Sequence, residues 1–322
     1  MSPNSNKTAS PLLVFAAFAI VYLVWGSTYF FIRIAEQGGM PPFLLGAFRF
    51  TTAGLLLLGW CAIKKEKLFV WKDIAAAAVT GFLLLFVGIG IVIMAERTLP
   101  SGMVAILVSS APIWFVVLDK RNWPVNFKSK ATIVGLVIGF GGVIMLFSEQ
   151  IGGVFSGAGS SMLPWMFLLL LGSVSWSAGS LYAKHVKTTV SSSVSTSWQM
   201  IAAGIIYIPA ALLHGEFHGA KLQSVQLVGW FAVLYLIVLG SIAAYSAYVW
   251  LLQVRSATQV STYAYVNPVI AVILGMVFAG EQISLIQIAG LVVILTSVLM
   301  INLAKYRNSA VKVEKVVMVE KV

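Results

Sequence analysis

Trp25-Gly26-Ser27-Thr28-Tyr29-Phe30-Phe31-Ile32-Arg33 returns 151 residues later as Trp176-Ser177-Ala178-Gly179-Ser180-Leu181-Tyr182-Ala183-Lys184, tryptophan over tryptophan and basic residue over basic residue. Phe48-Arg49-Phe50-Thr51-Thr52-Ala53-Gly54 falls on Trp198-Gln199-Met200-Ile201-Ala202-Ala203-Gly204 at an offset of 150, and Pro112 falls on Pro268 at 156. Each match is weak alone, but three in one order at nearly one offset identify an internal repeat. Apart from the basic residues Arg33, Arg49 and Lys184, these stretches lie in apolar runs of the kind that cross a bilayer as helices.

Outward from these stretches, ten charge-free runs can be counted along the chain. Residues of the set AVILMFWYC make up 60% of the 322 and charged residues only 10%, with a mean hydropathy of +0.96. A soluble domain carries about 25% charge, so a water-soluble globular fold is excluded. The expected fold class is an all-α polytopic membrane protein of ten transmembrane helices. The Gly/Ser-rich stretch around Glu149–Ser161 has the composition of a flexible linker and divides the spans five and five. An odd number per half sends the second half into the membrane from the opposite side, which makes a 5+5 inverted-topology repeat. The expected boundaries are 10–147 and 163–304 for the repeats, 148–162 for the linker and 305–322 for a basic tail.

A net charge of +11 would suggest nucleic acid in a soluble chain, but its distribution excludes that partner here. With the N-terminus in the cytoplasm, 17 of the 21 basic residues fall on the inner side, from Lys7 through the Lys64–Lys72 cluster to the tail. By the positive-inside rule both termini are cytoplasmic, in a plasma membrane and most simply a bacterial one. The tail is expected to be solvated at the lipid headgroups. Cys61, the one cysteine, lies in an apolar run and reads as a small buried hydrophobe.

Trp25-Gly26-Ser27, Arg49-Phe50, Glu96-Arg97-Thr98-Leu99-Pro100-Ser101-Gly102, Asn267-Pro268-Val269 and Gly280-Glu281 together resemble the drug/metabolite transporter superfamily, closest to its ten-helix members with two EamA-type domains. The resemblance spans residues 10–304. It implies a carrier that moves small metabolites, usually outward, through a cavity between the halves, and it supplies no substrate. Secondary transporters built on inverted repeats place the substrate near the midplane and alternate access by rocking one half against the other.

Within the spans, Pro112 and Pro268 each remove a helical hydrogen bond and are candidate kink or gating points. Arg49 is the most deeply placed charge. It must face a wet cavity, pair with a partner or snorkel, and Glu36 and Glu96 on the same expected side are the available carboxylates. If it faces a chamber, its planar guanidinium suits a carboxylate in two parallel hydrogen bonds. Trp25, Tyr29, Arg49, Trp176, Trp198, Gln199, Tyr263 and Asn267 are the candidate cavity residues, of a mixed aromatic and amide character suited to amino-acid-like or amphipathic compounds. Gln199 stands where the first half has Arg49, so a symmetric role for the pair is not expected. Arg33 and Lys184 are expected to anchor helix ends.

No Gly-Lys-Ser/Thr phosphate loop is present, His214-Gly215-Glu216-Phe217-His218 lacks the spacing of a zinc protease, and no acid or histidine lies mid-span. No metal, cofactor or enzymatic activity is expected. The partners are a small-molecule substrate and the lipid bilayer, and a monomer is plausible. A passive pore or a non-transporting scaffold is the alternative, without the filter ring a pore requires. Since all ten acidic residues lie at span ends or in loops, transport is expected to be driven by the substrate gradient. Proton antiport through Glu96 or Glu281 is the alternative.

Overall fold

The computed structural model describes residues 10–99, 101–146, 148, 162–219, 222–279 and 284–319, and among them every regular element is helical. Seven helices are long and apolar enough to cross a membrane: α1 (Pro11–Gln37), α2 (Pro42–Ile63), α3 (Trp71–Glu96), α7 (Leu163–His185), α8 (Ser192–Leu213), α9 (Leu227–Val254) and the apolar part, Leu285–Leu303, of α11 (Leu285–Val319). Shorter apolar helices lie between them: α4 (Ser101–Val108), α5 (Ala111–Leu118), α6 (Lys130–Leu146) and α10 (Tyr263–Ala279). The chain is therefore a polytopic helical membrane protein. Its outward face agrees, with Trp71 83% and Leu213 88% exposed, a surface suited to lipid and not to water. Most of the 148–162 stretch, the Gly280-Glu281 pair and Lys221 fall outside the described residues, and the backbone of α11 stays helical through Val319.

The fourth charge-free run is not one bent helix. It breaks at Ser109-Ser110, and Pro112 sits in the first turn of α5, where its missing N–H costs nothing, and not in a helix interior as its mid-run position suggests. The two serine hydroxyls turn back on the preceding turn, Ser109 to the Ala105 carbonyl and Ser110 to that of Leu107, each at 2.7 Å. Ser109 also lies 2.7 Å from the Ala264 carbonyl at the start of α10. Pro268, by contrast, lies inside α10.

Packing crosses the middle of the sequence. α2 pairs with α8, α6 with α11, α1 with α9 and α10, and α7 with α3, α4 and α5. The α2–α8 crossing is set by the aligned glycines. A Cβ on Gly54 would stand 2.9 Å from the Ser197 carbonyl oxygen, and one on Gly204 2.6 Å from the Thr51 amide nitrogen. Small residues of this kind let helix backbones touch where lipid gives no hydrophobic drive to association. Gly135, Gly139 and Gly142 do the same for α6 against Ile301, Ser297 and Ile294 of α11.

Two features recur at matching positions. α3 loosens into π-helical turns over Phe82–Gly88, and α9 does so over Leu236–Ala243. Glu216, in the connection after α8, accepts hydrogen bonds from the Phe43 and Leu44 amides at 3.2 and 2.9 Å, capping the start of α2. Glu66, 150 residues earlier in the connection after α2, accepts from the hydroxyl of Ser191, the residue that caps α8. Lys184 donates to the carbonyls of Leu252 and Arg255 at the end of α9, a helix-anchoring role.

Candidate functional site: a chamber between the two tryptophans

Trp25 and Trp176 meet edge to face with ring centroids 5.5 Å apart. Each indole reaches the π-helical turns of the other sequence half. Trp25 Nε1 donates to the Gly240 carbonyl at 3.1 Å, and the Trp176 ring lies over Gly88, the last residue of the α3 π turns. Extra residues per turn widen a helix locally, and such turns occur often at functional sites. Tyr248 and Tyr263 complete an aromatic cluster, Trp25 lying 4.9 Å from each. The Tyr248 hydroxyl receives Trp176 Nε1 at 3.0 Å and shares a hydrogen bond with Ser180 Oγ at 2.6 Å. The cluster is a plug of large rings in which both indole N–H groups and the Tyr248 hydroxyl are hydrogen-bonded.

Against one side of this plug lies a chamber that encloses about 60 Å³ and is partly open beyond that. Helix α1 lines it with Trp25, Thr28, Tyr29 and Ile32, one face read at i, i+3, i+4 and i+7. Helix α7 lines it with Leu169, Gly172, Ser173 and Trp176, the same spacing run backwards from its tryptophan. Gly88, Ile89 and Val92 of α3, Val108 and Ala111 on either side of the Ser109-Ser110 break, and Tyr263 with Asn267 of α10 supply the remaining walls, and Arg49 reaches in from α2.

Arg49 and Asn267 are each only 3% exposed. Arg49 Nε donates to Ser241 Oγ in the α9 π turns at 2.8 Å, and the guanidinium carbon stands 4.9 Å from the centre of the Phe50 ring. Its Nη1 has no hydrogen-bond partner, and no carboxylate lies at ion-pair distance among the described residues. The expected pairing of Arg49 with Glu36 or Glu96 is thus not made. The guanidinium is also too buried to be snorkelling to the surface. The oxygen of the Asn267 amide is likewise buried without a partner.

The structure brings Trp25, Tyr29, Arg49, Trp176, Tyr263 and Asn267 to the chamber wall and leaves Trp198 and Gln199 out of it. Trp198 is partly buried about two turns into α8. Its Nε1 donates to the Leu68 carbonyl at 2.9 Å and its ring packs 5.7 Å from that of Phe69. Gln199 is buried and satisfied. It accepts from the Tyr245 hydroxyl at 2.6 Å and donates to Ser195 Oγ at 3.2 Å. Thr28, Ser173 and Ser241 are the polar contributors that sequence reasoning did not single out. Thr28 and Ser173 sit three residues from the aligned tryptophans on the same helix face, and that spacing was the available signal.

A bilayer-spanning helical bundle with a small chamber walled by helices from both halves of its sequence defines a class, the polytopic membrane transporters. Residues 12–148 and 163–303 match the EamA-like transporter family, and the chain belongs to it. The "Uncharacterized inner membrane transporter YedA" of Escherichia coli K12 is 39% identical over 298 residues, covering 92% of each chain. The "Uncharacterized transporter YvbV" of Bacillus subtilis 168 is 26% identical over 299 residues, again with 92% of each chain covered. A crystal structure of another protein shares the fold at a TM-score of 0.70 and 17% identity, over 92% of this chain and 99% of that one. The protein is a multi-pass transporter of the bacterial plasma membrane.

Proposed function

We propose that this transporter is a carrier that exports small metabolites by alternating access, built as a 5+5 inverted repeat with both termini in the cytoplasm. Counting the α4–α5 pair, α6 and α10 as crossings beside the seven long helices gives the ten spans this requires. The matched stretches 12–148 and 163–303 are then the two repeats. The observation that carries the reading is the reciprocal seating of Trp25 at Gly240 and Trp176 at Gly88, with a chamber lying against one side of the pair. With the N-terminus inside, α1 runs outward beyond Trp25 and α7 runs inward towards Trp176, so their chamber-lining turns both lie on the outer side. Tyr248 and Ser180 lie on the inner side of the rings and close it. This is the outward-leaning state of a two-state device, and rocking the halves would move the plug to the other side. Export is the direction the family resemblance favours, with the substrate gradient as the driving force.

Counterflow in proteoliposomes tests the carrier. Labelled substrate is expected to enter faster when unlabelled substrate is loaded inside, with saturation, whereas flux that neither saturates nor responds to the far side would identify a pore. Adding a pH gradient at equal substrate gradient and clamped potential is expected to leave the substrate distribution unchanged; uphill movement driven by it would establish proton antiport.

A further inference from the structure

We propose that the chamber takes an organic anion, a small carboxylate with an apolar body, whose carboxylate lies on Arg49 and whose second polar group bonds Asn267. This deepens the carrier reading and rests on it only for the word substrate.

The argument is one of charge and unmet hydrogen bonds. A guanidinium stays protonated in proteins, and a buried charge without a partner is among the costliest groups a fold can hold. Arg49 carries such a charge with a serine hydroxyl as its side-chain partner, Nη1 unmet, and no carboxylate near enough to neutralise it among the described residues. Were the charge structural, a glutamate on α9 or α10 would satisfy it, and the chain places Ser241 and Asn267 there instead. Asn267 adds a second unmet atom in the same chamber, an amide oxygen that accepts hydrogen bonds. Two buried, unsatisfied polar groups in one family member's chamber are what a pocket looks like when its ligand supplies the partners. The other walls set the body of that ligand. Trp25, Trp176, Ile32, Val92 and Leu169 are apolar, so the rest of the molecule is aliphatic or aromatic. In a low-dielectric chamber the carboxylate gains a charge-assisted, bidentate contact, and its entry neutralises the chamber.

Gly240 fits this reading. A Cβ there would stand 3.0 Å from Arg49 Nη2, so the bare backbone gives the guanidinium room beside the Trp25 hydrogen bond.

The test uses purified full-length protein in detergent and a series of acids with their amides, from butyrate and butyramide to 3-phenylpropionate and 3-phenylpropionamide, read by thermal unfolding and by titration. At least one acid is expected to raise the melting temperature and to bind about tenfold or more tighter than its amide, the margin of a charge-assisted over a neutral hydrogen bond. The comparison needs no variant, so it survives any folding failure. Arg49→Gln is expected to abolish the difference between acid and amide, and Asn267→Leu to weaken 3-phenyllactate more than 3-phenylpropionate. Phenyl phosphate and benzenesulfonate in parallel identify the anion; stronger binding of either than of every carboxylate would overturn the carboxylate assignment. Equal binding of acids and amides, no binding by any member, or stabilisation by chloride alone equal to that by the acids would each overturn the proposal. Acid binding without counterflow would instead count against the carrier and leave the anion site standing, and counterflow of neutral compounds with no preference for acids would do the reverse.

Discussion

Arg49 and Gln199 stand at matching places, 150 residues apart, on the two helices that cross at Gly54 and Gly204, and they meet opposite fates. Around Gln199 the protein is finished: its amide is bonded on both sides, Tyr245 Oη at 2.6 Å and Ser195 Oγ at 3.2 Å, and its backbone packs against Gly81. Around Arg49 it is unfinished, with a charge, one serine and an open wall. A scaffold can repeat itself while the chemistry on it does not. The matched frame supplies two equivalent recesses, and one has been filled by side chains while the other is left for something that comes and goes.

Exchanging the two characters is the most direct way to break this contrast. Gln199→Arg places a charge in a buried recess that offers it no carboxylate among the described residues, and is expected to cost about 3–5 kcal/mol of stability, read as a lower unfolding temperature and poor recovery of folded protein. Arg49→Gln is expected to do the opposite, keeping or raising the unfolding temperature because a buried unpaired charge is removed. Transport should fall about tenfold to hundredfold, the worth of a hydrogen bond to a charged group. If Arg49→Gln instead unfolds the protein, Arg49 is a structural residue and the contrast fails. Gly240→Ala sharpens the same side. The added methyl would press on Arg49 Nη2 and displace the guanidinium, with an expected loss of about fivefold in transport and a smaller change in melting. Smallest is Tyr245→Phe on the finished side, which removes the hydrogen bond to Gln199 for about 1 kcal/mol of stability and leaves transport within about twofold of the parent.

The sequence made the membrane class and the two-part arrangement readable because hydropathy, basic residues and a repeated tryptophan are all one-dimensional signals. Arg49 was readable for a physical reason: a charge deep in an apolar run has few places to go. Gln199 and Trp198 were misplaced by the same repeat that revealed the fold, since aligning Phe48-Arg49 on Trp198-Gln199 carries over position but not which face a neighbour covers. Gly81, packed against the Gln199 backbone, and Tyr245, reaching in from α9, are contacts that no spacing predicts. The π-helical turns left no trace either, because a change of helical period cannot be detected where nearly every residue is apolar. At Ser109-Ser110 the interruption falls just before the proline that sequence reading made the kink. Two serines competing for their own helix carbonyls decide it.

The hydrogen bond between Arg49 and Ser241 joins residues 192 positions apart. Chains are synthesised at about 5–20 residues per second, so α2 waits roughly 10–40 s after its own insertion before the segment that holds its arginine exists. Trp25, whose partner is 215 residues downstream, waits longer still. In that interval the nascent first half holds an unmatched guanidinium and an unmatched indole N–H in or beside lipid. Biogenesis therefore has a vulnerable stretch set by loop length alone, during which the insertion machinery or lipid headgroups must shelter α2. A ribosome stalled between α2 and α9 would leave Arg49 without the Ser241 hydroxyl that receives it in the finished fold.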